Sequence, residues 1–310
     1  MKIENPSILQ MIRAPFLSAI IAPLVAGTLL AVNIHGSLNV PAFILVLITG
    51  IGLHVATNVY NDIYDTIQGP DKVNVHRNEF SGGSGVLISN PELMGRMHLL
   101  ARLGLILALI GTIALMYFID RSLWVYLWGL FFLSAFFSKY YTAAPVKLAY
   151  RGLGEFSVWF AFGPMAVAIA SISQNLFPSG EMLVLMPVTG FSTLTILLVG
   201  QLIDVDADIK GGKHGVASRL GTKVTALIYI FVQTALILNI VFMSFYFSDQ
   251  SLVLLALLLP YGLLFPGCAA TVVKYHDNPD ELKAVAKKTV MIHLFLSLFL
   301  IAGLIALLNL

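Results

Sequence analysis

Apolar residues come in long, nearly unbroken runs along this chain, and most polar residues fall between the runs or on one face of their ends. Runs at roughly 14–33, 41–64, 99–119, 122–140, 153–173, 182–204, 222–247, 251–273 and 288–309 each approach the ~20 residues that an α-helix needs to cross a bilayer. Inside hydrocarbon, every backbone N–H and C=O must be satisfied within its own segment, so such runs predict helices. The pattern predicts an all-α, polytopic membrane protein. Nine transmembrane helices bundle around a central cavity, and one domain spans residues 1–310.

The connections differ in length and charge. Two are longer than a bundle needs, 66–97 and 205–221; both are charged and Gly-rich, and are expected to cap a site. The connections after the first, fifth and seventh runs hold no Lys or Arg, and the one after the third holds only Arg121. The opposite side holds Lys2, Arg13, Lys72, Arg77, Arg96, Lys139, Lys147, Arg151, Lys210, Lys213, Arg219, Lys274, Lys283, Lys287 and Lys288. By the positive-inside rule, the N-terminus and both long loops are cytoplasmic. The first run lacks a clear cleavage site and is read as a retained helix.

Composition agrees. The chain is 58% hydrophobic and 11% charged, more apolar than a soluble core absorbs. The net charge of +2 comes with no basic patch apart from the membrane flanks, so nucleic acid is not an expected partner, and no obligate protein partner is implied. Cys268 is the only cysteine, which excludes an intramolecular disulfide and a cysteine metal site.

Candidate chemistry begins in HVATNVYNDIYDTIQGPD, residues 54–71. At 3.6 residues per turn, His54, Asn58, Asn61, Asp62 and Asp65 share one helical face. Polar groups clustered on one face of an apolar helix mark a cavity or an ion path. A second cluster, Asp204, Asp206 and Asp208, closes the sixth run on the same side of the membrane. Helical spacing turns Asp206 about 200° from Asp204, away from it. The second and sixth runs are four helices apart and run the same way, as a duplicated four-helix unit would arrange them. Carboxylates from two helix ends repel one another unless a cation sits between them. Hard cations such as magnesium bind carboxylate oxygens together with substrate phosphates.

Other residues admit two readings. Asn58 and Asn61 either bind a metal through their amide oxygens or position a carboxylate; Asn58 and His54 alternatively make interhelical hydrogen bonds, and His293 is similar. Asp71, beyond Gly69 and Pro70, reaches back to a cation or makes a turn. Lys139 follows an aromatic run with Ser134 and Ser138 and suits a diphosphate at a cavity mouth. The run SGGSG at 81–85 forms either a backbone nest for phosphate oxygens or a hinge.

These motifs resemble a known family. Asn61, Asp62, Asp65 and Asp71 resemble the first aspartate-rich motif of the UbiA-type intramembrane prenyltransferases. Asp204 and Asp208, followed by Gly212, Lys213, Arg219, Leu220 and Gly221, resemble the second. The segment KYYT at 139–142 resembles their lysine-containing stretch. YTAAPVKLAYRGLGE, 141–155, is similar to the branch that prenylates 1,4-dihydroxy-2-naphthoate in menaquinone synthesis. The resemblance implies magnesium as cofactor, held by Asn61, Asp65, Asp204 and Asp208 with Asp62 and Asp71 in support. It implies an isoprenoid diphosphate held by Lys139, with Lys72, Arg77 and Lys213 beside it, and Arg13 near the diphosphate or a small aromatic acceptor. Asp65, Asp204 and Lys139 are the expected catalytic residues. Ile203 and Gln201 stand where that branch often has arginine and asparagine, so 4-hydroxybenzoate, a tetrapyrrole and geranylgeranylglyceryl phosphate stay open as acceptors. A reading of another class, a cation or metabolite transporter, places the carboxylates on an ion path. The expected location is a bacterial or archaeal cell membrane with the site on the cytoplasmic side.

Overall fold

The computed structural model describes residues 5–247 and 251–308. Lys2 and residue 309 of the last expected run lie outside them. Among the described residues, nine helices are long and apolar enough to cross a membrane. We number them α1 (Ala14–His35), α2 (Val40–Gln68), α3 (Pro91–Leu115), α4 (Arg121–Tyr140), α5 (Gly154–Ile172), α6 (Gly180–Lys210), α7 (Thr222–Tyr246), α8 (Val253–Lys274) and α9 (Pro279–Leu308).

Helix α2 starts where the Asn39 side chain accepts from the Ala42 backbone N–H, and it stops at Gly69, whose φ of 110° an L residue rarely adopts. Its 29 residues span roughly 44 Å, well beyond the ~30 Å of hydrocarbon. The polar turns Asn61–Asp65 therefore remain helical and project into the cap region. Helix α6 is similar. Ser179 caps its start, and 31 residues carry it to Lys210, so all three aspartates of the second motif lie inside the helix. The expected loops 66–97 and 205–221 thus begin later than the apolar runs suggest. The first also contains two short helices, Pro70–Val73 and Val86–Ser89, and the second contains Val216–Leu220. Helix α9 likewise begins nine residues before the apolar run, at Pro279, with Asp280 and Glu281 in its first turn.

Small residues let the helices approach closely, as membrane helices require. A Cβ on Gly52 of α2 would stand 2.6 Å from the Gly104 carbonyl of α3. A Cβ on Gly163 of α5 would stand 2.6 Å from the Met186 carbonyl of α6. Gly163 lies in a π-helical turn, Ala161–Met165, around Pro164. This turn re-aims α5 where it borders the interior cavity. The largest buried apolar cluster joins α6 to α7, α8 and α9. Helices α1, α2, α4, α5 and α6 are left to surround the cavity.

Candidate active site

The cavity has two compartments. The mouth encloses about 1140 Å³ of empty space, part of it open to solvent, and is lined by Arg13, Asn58, Asn61, Asp65, Asp71, Asp204, Asp208 and Lys213 among others. Beside it lies an apolar chamber with about 690 Å³ of empty space, part of it likewise open, lined by residues such as Leu24, Leu53, Phe137, Ala161 and Ile169. His54, Thr57, Tyr141, Val158 and Phe162 line both.

Three donors converge on Asp65. Asn61 Nδ2 and Lys213 Nζ donate to Oδ2 at 2.7 and 2.9 Å, and the Tyr150 hydroxyl donates to Oδ1 at 2.6 Å. Lys213 Nζ also lies 3.9 Å from Asp208 Oδ1, so one ammonium stands between the carboxylates of α2 and α6. Part of the positive charge expected between the two clusters is supplied by the chain itself, from the second loop. Asp204 accepts from Asn74 Nδ2 at 2.8 Å and from Ser81 and Gly82. The first loop is thereby fastened across the mouth to α6.

Electrostatics follow from this crowding. Burial, then the charges of Asp65 and Asp62, push the Asp71 carboxyl up to about 8. Burial alone would lower Lys213, but Asp65 and Asp208 outweigh it and hold the ammonium above its ordinary value. Burial and the neighbouring Asp65 push the Tyr150 hydroxyl up, so it stays protonated and donates. Burial does the same for Tyr141.

Four carboxylates against two basic side chains leave the mouth short of positive charge. Apart from the His54 imidazole in the shared wall, its donors for a metal are oxygens, which fits a hard divalent cation. Among the described residues, no three acidic or imidazole side chains converge into a metal cage.

The structure gathers Arg13, Asn58, Asn61, Asp65, Asp71, Asp204, Asp208 and Lys213 at the mouth. It places the other expected residues elsewhere. Lys139 does not line the cavity; its ammonium lies 5.4 Å from the Tyr140 ring centre. Ser138 and Tyr141 face the cavity, and one helical step of about 100° turns residue 139 off that face. Lys72 is exposed. Arg77 points into its own loop, donating to the Gly82 and Asp71 carbonyls at 2.6 Å each, and so organises the loop instead of lining the mouth. Asp62 is buried beneath the loop, accepting from the Ser84 backbone N–H at 3.2 Å, with Arg13 Nη1 3.8 Å away. Asn58 donates to the carbonyl of Ile12, just before α1, at 3.2 Å, while still lining the mouth. Asp206 is exposed on the far face, as its spacing predicts. Ser81, Gly82 and Gly83 line the mouth, but the next N–H of that run is committed to Asp62.

Sequence reasoning missed Tyr150, Asn74 and Glu155. The Glu155 carboxylate accepts from Gln201 Nε2 at 2.6 Å and from the Val216 N–H at 2.7 Å. Ser218 Oγ donates to the Lys213 carbonyl at 2.7 Å. Together these bonds fix the loop that presents Lys213. No local periodicity announces the Glu155 contacts, because they join segments far apart in the chain.

The site is thus an oxygen-rich mouth beside an apolar chamber, inside a bundle of membrane-length helices. The profile of the UbiA prenyltransferase family matches residues 20–299, and the chain belongs to that family: it is a prenyltransferase and an integral membrane protein. A 2-carboxy-1,4-naphthoquinone phytyltransferase of Synechocystis is 27% identical over 295 residues, covering 94% of this chain and 91% of the relative. A 1,4-dihydroxy-2-naphthoate octaprenyltransferase of Mycobacterium tuberculosis is 30% identical over 217 residues, covering 67% and 68%. A solved UbiA homologue from Archaeoglobus fulgidus, bound to DMAPP and Mg2+, superposes with a TM-score of 0.59 at 13% identity, covering 97% of this chain and 98% of that one. Family membership decides for the enzyme over the transporter.

Proposed function

We propose that the chain transfers a prenyl group from an isoprenoid diphosphate to 1,4-dihydroxy-2-naphthoate, with magnesium, in menaquinone synthesis. The observation that carries this reading is the shared wall between an acid-lined mouth and an apolar chamber. It provides adjacent places for a metal-bound diphosphate and for hydrocarbon. The two naphthoquinone-type relatives favour a naphthalene acceptor. The distribution of Lys and Arg supports a cytoplasmic mouth.

In this reading Asn61, Asp65, Asp204 and Asp208 hold the metal, and Asp71 supports them. Magnesium bound there supplies Lewis-acid neutralisation of the leaving diphosphate. Tyr150 and Asn61 keep Asp65 oriented through the bonds described above. Lys213 and Arg13 present cations to the diphosphate oxygens. Val158, Phe162 and Phe137 exclude water where the allylic carbon gains positive charge, and the aromatic faces of Phe162 and Phe137 favour that charge. The wall holds donor carbon and acceptor ring in line.

The test is a product assay with purified protein in nanodiscs. Magnesium and a long prenyl diphosphate are given with 1,4-dihydroxy-2-naphthoate, 4-hydroxybenzoate or geranylgeranylglyceryl phosphate in separate reactions, and product is read by mass. Prenylated naphthoate is expected. Product with another acceptor alone overturns the acceptor assignment, and no product with any of them overturns the reading as a whole.

A further inference from the structure

Asp65 has little room for a further positive partner. Its Oδ1 accepts from the Tyr150 hydroxyl at 2.6 Å, and its Oδ2 accepts from Asn61 Nδ2 at 2.7 Å and from Lys213 Nζ at 2.9 Å. A carboxylate offers about four lone-pair positions, and these bonds take most of them. Of the donors only Lys213 is charged, and its ammonium also lies 3.9 Å from Asp208 Oδ1. Arg13, the other basic side chain of the mouth, is paired elsewhere: its Nη1 lies 3.8 Å from Asp62, and its guanidinium sits 4.5 Å over the Phe16 ring. Asp204 is hydrogen-bonded by neutral groups of the first loop, Asn74, Ser81 and Gly82.

The mounting of Lys213 separates backbone from side chain. Its N–H donates to the Asp208 carbonyl at 2.8 Å, its carbonyl accepts from Ser218 Oγ at 2.7 Å, and Glu155 holds the Val216 N–H nearby. The side chain instead lines the mouth and is 17% exposed. Lysine carries a point charge on a flexible four-carbon stem, so the ammonium can change partners while the loop stays in place.

Magnesium binds a carboxylate oxygen at ~2.0–2.1 Å. On Asp65 Oδ2 it would stand against the ammonium already there, and like charges so close repel. Lys213 and a metal on that oxygen therefore exclude each other. The ammonium leaves two carboxylates readily only where another anion receives it. We propose that Lys213 is a tethered counter-ion that makes metal binding at Asp65 and Asp208 depend on the diphosphate. A bare dication has to displace the ammonium, whereas a diphosphate arriving with the metal takes the ammonium over. This inference rests on the prenyl-transfer reading above and adds the residue that couples its two ligands.

The test titrates Mn2+, a hard divalent cation read by electron paramagnetic resonance, into wild type, Lys213→Gln and Lys213→Arg in neutral-lipid nanodiscs. Each is titrated first alone and then with geranylgeranyl diphosphate present. Lys213→Gln removes the charge but keeps an N–H donor for Asp65, so the carboxylate is not stripped of its partner. It is expected to bind Mn2+ alone ~10-fold more tightly than wild type, the scale of one hydrogen bond to a charged group. The tightening of Mn2+ by the diphosphate is expected to shrink by a similar factor. Lys213→Arg keeps the charge and is expected to bind Mn2+ alone as weakly as wild type. A Lys213→Gln protein that binds Mn2+ alone no more tightly than wild type overturns the inference. So does a Lys213→Arg protein that gains as much as Lys213→Gln, since shape and not charge then governs the metal. Wild type that binds no geranylgeranyl diphosphate with Mn2+ overturns the prenyl-transfer reading instead, and this inference with it.

Discussion

The mouth and the chamber share a wall but are built by opposite means. The mouth is assembled from distant pieces: α2, α6 and two loops, joined by hydrogen bonds such as Asn74 to Asp204 and Lys213 to Asp65. The chamber is lined by helix interiors and held mainly by close packing, with the Ser138 hydroxyl of α4 bonded to the Leu53 carbonyl of α2. A polar site needs directional partners, and helix ends and loops supply them. An apolar pocket needs only shape. The chemistry is therefore expected to be fragile to single polar changes, and the choice of tail to depend on volume.

The largest effect that separates the two compartments comes from the mouth. Asp65→Asn and Asp204→Asn are each expected to lower kcat/KM by ~10²–10³, since each removes a charge from the proposed metal site. Steady-state product formation measures it, and a loss under tenfold in both breaks the distinction. A volume change in the chamber should act differently. Ala161→Trp is expected to weaken turnover of long-chain donors by ~10-fold while leaving dimethylallyl diphosphate nearly unaffected, because one large side chain there takes up tail space. A chain-length series of donors reads this, and equal losses for all lengths contradict it.

A pH titration sharpens the electrostatic side. The Asp71 carboxyl is raised to about 8, chiefly by burial and then by Asp65 and Asp62. A folded-state value above the unfolded one stabilises the protein at low pH, and that stabilisation is lost as pH rises through 8. Metal-free protein is thus expected to lose ~1.4 kcal/mol between pH 7 and 9 through this group, and Asp71→Asn to flatten the profile. Chemical denaturation across that range checks it. The smallest effects belong to basic residues near the mouth that do not line it. Lys72→Ala and Lys139→Ala are expected to change kcat/KM by no more than ~2-fold, as surface substitutions generally do. A tenfold loss for Lys139→Ala means that its ammonium swings into the cavity when substrate is bound.

Much of this contrast is legible in the sequence. The spans are readable because ~20 apolar residues in a row have few other solutions. Their ends are less so: α2 runs to Gln68 and α6 to Lys210, because polar turns stay helical when they face a cavity. Pro279 with Asp280 and Glu281 carried a start signal for α9 that hydropathy alone overlooks. The 3.6-residue spacing of Asn61, Asp65, Asp204 and Asp208 picks out residues that do face the mouth. The same spacing could have turned Lys139 off the cavity once Ser138 was placed on it. Loop geometry was not readable. Arg77, Asp62 and Asn74 depend on the fold of residues 74–85, and Lys213 on bonds from Glu155 and Gln201.

The central claim is that the aspartates of α2 and α6 form one metal-dependent diphosphate site. The most direct measurement is the magnesium-dependent binding of prenyl diphosphate to wild type, Asp65→Asn, Asp204→Asn and the double variant by titration calorimetry. Each single change is expected to weaken binding by ~10²-fold, and the double change by little more, because groups serving one ion are not additive. Losses that multiply, or binding that survives both changes, contradict a single shared site.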